Sequence, residues 1–136
     1  MADILKDLYE IVERREAERE EGSYTVYLLD SGLDKILKKL GEETTETIIA
    51  AKNLETCANS VIGVKGSEEI TGSLEKEEVI EEAREALNGE VSDLLYHLVI
   101  MLHTLGVTPD EIEELLRARM QKTGNLKKPH STDHNS

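Results

Sequence analysis

Five carboxylates stand at spacings that could gather a cation. In "KKLGEETTETIIAAKN", residues 38–53, Glu43 and Glu46 are three positions apart. On a helix they would lie about 60° apart around the axis, so both reach one point. In "GEVSDLLYHLVIML", residues 89–102, Glu90 and Asp93 repeat that spacing. Facing each other across a bundle, the two pairs would bring four carboxylates into a small, partly desolvated volume. Like charges so placed take up protons or recruit cations. Oxygen ligands select hard divalent ions, and Mg²⁺ in particular keeps waters and takes phosphate oxygens as its remaining ligands. Such a site suits phosphoanhydride hydrolysis, because the ion screens phosphate charge, orients a water and stabilises the departing pyrophosphate. Glu42, beside the first pair, is placed to orient or deprotonate that water.

A lone ExxE pair is usually only a solvated helix face. Asp93 weighs more, because Leu94, Leu95, Tyr96, Leu98, Val99 and Ile100 surround it in sequence. Apolar company is costly for an unpaired acid. An ion pair would be the plain explanation, yet no Lys or Arg lies between Arg84 and Arg117. His97, one turn past Asp93, is either a satisfied core histidine or a hydrogen-bond partner that orients a ligand. Lys35, Lys39 and Lys52 flank the glutamates and either meet phosphates or simply solvate their helix. Asn53 falls on the Glu42/Glu46 side, two turns on, and is a candidate for substrate contact.

Helices must position these groups. Residues 3–21 place Ile4, Leu5, Leu8, Tyr9, Ile11 and Val12 at helical spacing before turning almost wholly charged, with Asp3 as N-cap and Gly22 as stop. "SYTVYLLDSG" reads as a loop or short extended connection. A long helix from about Leu33 to Val61 follows. Its core stripe is expected to comprise Leu33, Ile36, Leu37, Leu40, Ile48, Ala51 and Leu54, within about 60° of one direction. "GVKGSEEITGS" is a break and 74–88 an acidic amphipathic helix. Asn88-Gly89 is a stop or kink. From Glu90 to Leu105 the pattern is apolar on every side, the mark of a buried helix. Thr108, Pro109 and Glu111 form a capping box for the last helix.

The fold class is therefore all-α: an antiparallel bundle of four principal helices, with a short extra helix before the third. Residues 1–120 read as one domain and 121–136 as a disordered tail. Phe and Trp are absent, so Leu, Ile, Val, Ala and Met must build the core. The net charge of −13 argues against nucleic acid and against an anionic membrane surface, since both call for a basic footprint. A single cysteine, Cys57, excludes an intrachain disulfide and fits a reducing compartment. With no signal segment or long apolar run, a cytoplasmic protein is expected.

The strings "SYTVYLLDSGLDKILKKLGEETTETIIAAKN", residues 23–53, and "EVSDLLYHLVIMLHTLGVTPDEIEELLRAR", residues 90–119, resemble the phosphoribosyl-ATP pyrophosphohydrolases of histidine biosynthesis. That family belongs to the all-α, MazG-like nucleoside triphosphate pyrophosphohydrolases, marked by EExxE on one helix and ExxD on another. The motif falls here on Glu42, Glu43 and Glu46, then on Glu90 and Asp93. The resemblance implies Mg²⁺-dependent cleavage of 1-(5-phosphoribosyl)-ATP to 1-(5-phosphoribosyl)-AMP and pyrophosphate. It also implies a homodimer or higher homo-oligomer whose helices complete the bundle. Ser23, Tyr24 and Thr25 join Lys39, Lys52 and Asn53 as candidates for substrate contact. Between Asn53 and Glu90 the chain is longer than the family pattern, so Glu81 and Glu82 compete with Glu90 for register. Nothing corresponds to the cyclohydrolase domain of bifunctional relatives, and a monofunctional form is expected. The competing readings are a house-cleaning (deoxy)nucleoside triphosphate pyrophosphohydrolase and a non-enzymatic acidic module that dimerises.

Overall fold

The computed structural model describes residues 3–62 and 73–122. The expected loop at 63–72 and tail at 123–136, with His130 and His134, lie outside those residues. Five helices follow one another: α1 (Ile4–Glu18), α2 (Tyr24–Ser31), α3 (Leu33–Ile62), α4 (Ser73–Leu105) and α5 (Pro109–Met120). No strand interrupts them among the described residues. The all-α bundle expected from composition and periodicity is what forms.

α3 and α4 make a long hairpin. Along α3 the residues turned inward are Ile36, Leu40, Glu43, Thr47, Ala50, Leu54 and Cys57, and along α4 they include Ile80, Ala83, Leu87, Glu90 and Leu94. Steps of three and four are the seam of a two-helix coiled pair. Ile36 packs with Val99 and Ile100, whereas Asn53 and Cys57 face Val79 and Ala83. The two helices are thus antiparallel. α1 and α2 close the end where α3 begins and α4 finishes. There Val12, Leu28, Ile36, Val99 and Ile100 form a fully buried cluster, with Leu5, Leu8, Tyr9 and Tyr96 against it.

Several local expectations change. "SYTVYLLDSG" is helix, not loop. The Ser23 hydroxyl accepts a hydrogen bond from the Val26 amide at 3.3 Å, and Gly22 and Gly32 take positive φ at either side. The eight-residue turn buries Thr25 and Leu28 together, which outweighs its β-favouring composition. α1 stops at Glu18, with Arg19 in the left-handed conformation, and the Asp3 side chain makes no capping bond.

Asn88-Gly89 neither stops nor separates anything, since α4 runs through it unbroken. Gly costs about 1 kcal/mol in a helix interior, but the seam positions Leu87, Glu90 and Leu94 continue across it. The short extra helix expected before the third is therefore the first half of α4, and the additional element is α2.

Finally, the buried arc of α3 is rotated toward Glu43. Leu37 and Ile48 stay exposed at 42% and 59%, and Ala51 is exposed too. On α4, Val91 and Leu95 are also exposed, so the helix is not buried on every side in a single chain. The α5 capping box is present as expected: Thr108 accepts from the Glu111 amide, and the Glu111 carboxylate accepts from the Thr108 amide at 2.7 Å.

Candidate active site

The seam places a carboxylate of α3 against one of α4. Glu43 and Glu90 each occupy a position that a Leu or Ala takes one turn away, so they meet as packing residues do. Asp93, one turn on from Glu90, adds a third group from the rim. One oxygen from each of Glu43, Glu90 and Asp93 can lie within 4.8 Å of the others. Glu46 reaches Glu43 and Glu90 from the next turn of α3 by hydrogen bonding.

Electrostatics follow from this crowding. Glu90 is pushed up to about 7, first by desolvation, then by its hydrogen bonds and charge repulsion with Glu43 and Glu46. Glu43 is also raised, chiefly by burial, with Glu46 and Asp93 adding repulsion while the hydrogen bond from Glu90 opposes them. Below about pH 7 Glu90 tends to keep its proton, and the protonated carboxyl can donate to Glu43. The Glu43 oxygen Oε2 is buried without a hydrogen-bond partner. A buried carboxylate oxygen with no donor is costly unless a cation meets it. Crowded oxygens of this kind suit a hard divalent ion.

Behind Glu43 stands His97, 5% exposed. Its Nδ1 lies 2.8 Å from the Asp93 carbonyl oxygen, which can only accept, so Nδ1 carries the hydrogen. In the neutral ring Nε2 then accepts from the Tyr24 hydroxyl at 2.8 Å. Nδ1 is also 3.9 Å from Glu43 Oε1. His97 is thus both a satisfied buried histidine and a neighbour of the cluster. α2 reaches the site through it.

The remaining candidates separate. Lys39 lies one turn before Glu43 and pairs with the exposed Glu42 at 3.4 Å. Glu42 itself stays outside the three-carboxylate group. Asn53 lines a groove that begins at Glu46 and Glu90. Lys52, nine residues beyond Glu43, falls about half a turn away on the opposite face and pairs with Glu55. Thr25 is fully buried, its hydroxyl bonded to Tyr96, so no surface of it is open to a substrate. Its type suggested a polar loop residue, and the helical turn points it inward. Register resolves in favour of Glu90: Glu81 is exposed near Arg84, and Glu82 lies farther along the groove.

A sequence signal for the Glu43–Glu90 meeting did exist. Both residues continue a three-four spacing of inward positions, which a stripe counted over Leu37, Ile48 and Ala51 obscures.

The family model for phosphoribosyl-ATP pyrophosphohydrolase matches residues 5–120. The chain belongs to that family of phosphoanhydride hydrolases. A phosphoribosyl-ATP pyrophosphatase of Streptococcus sanguinis is 37% identical over 131 residues, covering 96% of this chain and 99% of the relative. The corresponding protein of Limosilactobacillus fermentum is 43% identical over 115 residues, 85% of this chain and 82% of its own. That of Pelotomaculum thermopropionicum is 38% identical over 120 residues, 88% and 94% respectively. No solved structure matches the chain. No single helix among the described residues is long and apolar enough to cross a membrane.

Proposed function

We propose that the chain hydrolyses 1-(5-phosphoribosyl)-ATP to 1-(5-phosphoribosyl)-AMP and pyrophosphate, the second step of histidine biosynthesis, in the cytoplasm. Glu43, Glu46, Glu90 and Asp93 would hold Mg²⁺. Family membership supports the reaction. The observation that carries the site is the buried, partnerless Oε2 of Glu43 among carboxylates close enough to share one ion. When bound, Mg²⁺ supplies phosphate screening, polarisation of a water and charge stabilisation on the leaving pyrophosphate.

The chain's own groups do the rest. Hydrolysis of the α–β anhydride gives a hydroxyl to one phosphorus and releases a proton. Glu42, exposed beside the cluster, is the group that takes that proton or orients the water. Lys39, within reach of Glu42, offers a positive charge to the phosphates. His97 holds the Asp93 backbone and sits against Glu43, so it positions ligands rather than touching substrate.

The working unit is a homodimer or a higher assembly of domains spanning residues 1–120. Leu37 and Ile48 on α3, with Val91 and Leu95 on α4, leave an apolar face exposed on the side of the hairpin away from the carboxylates. Purified protein incubated with Mg²⁺ and a nucleotide panel tests the reading by pyrophosphate release. Turnover should be fastest on phosphoribosyl-ATP. Faster turnover of ordinary deoxynucleoside triphosphates would overturn the substrate, and no release from any nucleotide would overturn the enzyme.

A further inference from the structure

The α3/α4 seam opens on its carboxylate side into a groove of about 650 Å³, within the range of small-ligand sites. It starts at Glu46 and Glu90 and reaches Thr56 and Val79. Ten residues of α3 separate Glu46 from Thr56, which at helical rise is about 15 Å. Ala50, Ala83 and Ala86 line the groove with short side chains, and Ile49 and Val79 add apolar surface on which a flat ring could lie. Asn53 and Glu82 stand along its walls. No Lys or Arg lines it, and Lys39 lies the other way, one turn before Glu43. A phosphate would be repelled here, whereas an uncharged ring with hydroxyl groups would not.

We propose that this groove seats the purine ribonucleoside of the nucleotide, with the phosphates at its carboxylate end and Ala86 as the residue whose small size admits it. The assignment rests on reading the cluster as the site of cation and phosphates. The Asn53 amide can both donate to and accept from a ring edge, and the Glu82 carboxylate can accept from ribose hydroxyls. The apolar face of Leu37, Ile48, Val91 and Leu95 lies on the other side of the seam, so a second copy docked there leaves the groove open.

Binding of AMP and of inorganic pyrophosphate, each with Mg²⁺, tests this in the wild type, Ala86→Leu and Thr56→Leu. Ala86 and Thr56 are both exposed, on different helices, so at least one variant should retain the fold. Filling the groove should weaken AMP about tenfold or more and leave pyrophosphate unchanged. Parallel weakening of both ligands, or unchanged AMP binding in folded variants, would overturn the proposal, as would a wild type that binds no AMP. Selective AMP loss in the filled variants, together with a wild type that releases no pyrophosphate from phosphoribosyl-ATP, would sink the substrate reading and leave the groove standing.

Discussion

Glu90 offers the sharpest test of the cluster, because its titration and the binding of a cation compete for the same oxygens. An ordinary glutamate ionises near 4.5, whereas Glu90 is pushed up to about 7 by burial and by Glu43 and Glu46. Between those values the folded chain keeps a proton that the unfolded chain has released. The stability this contributes is fully present below about 4.5 and is lost as pH rises through about 7. With a value of about 7, Glu90 is ionised in about a tenth of molecules at pH 6 and about nine tenths at pH 8. A divalent ion needs the ionised form, so apparent Mg²⁺ affinity should be about tenfold weaker at pH 6 than at pH 8.

The assay is thermal unfolding at both pH values, with and without Mg²⁺, for wild type and Glu90→Gln. Without the ion, wild type should lose more stability than the variant between pH 6 and 8, and Mg²⁺ should restore it in wild type alone. Comparison with the variant isolates Glu90 from every other titrating group. Equal pH dependence in the two proteins, or Mg²⁺ affinity equal at both pH values, would refute the reasoning.

Three further outcomes are expected. Tyr24→Phe removes the hydroxyl that bonds His97 Nε2, and should cost about 1 kcal/mol in chemical denaturation. Leu28→Ala hollows the fully buried cluster at its α2 member and should cost about 3 kcal/mol, enough to reveal in a urea titration whether α2 belongs to the cooperative unit. Leu95→Glu places a charge on the exposed apolar face of α4 and should convert a dimer to monomers in analytical ultracentrifugation. A wild type that sediments as a monomer would remove the basis for that face being an interface.

Helix content, the start of α5 and the spacing within the two carboxylate pairs are legible in sequence because each depends on local order. Thr108, Pro109 and Glu111 are contiguous enough to cap a helix by themselves, and the spacing within each carboxylate pair is set by one helix alone. Residues 23–32 misled because β-branched and aromatic types say little about a turn whose stability comes from burying Thr25 and Leu28 against other helices. Asn88-Gly89 misled for the converse reason: the local stop signal is overridden by packing along α3. Asp93 is exposed in the single chain, so its apolar neighbours in sequence did not mean that it is buried. Glu43, in a mixed polar stretch, is the carboxylate with the buried oxygen.

What the sequence determined by itself was an acidic, helical chain with two carboxylate pairs at ligating spacing. Which oxygens meet was decided by tertiary structure alone, because contact between α3 and α4 depends on how two seams register across a hairpin. That register puts Glu43 against Glu90 rather than Glu81 or Glu82, and the docking of α2 brings Tyr24 to His97. Spacing along one helix can place two acids side by side, but only packing between helices can take water from them.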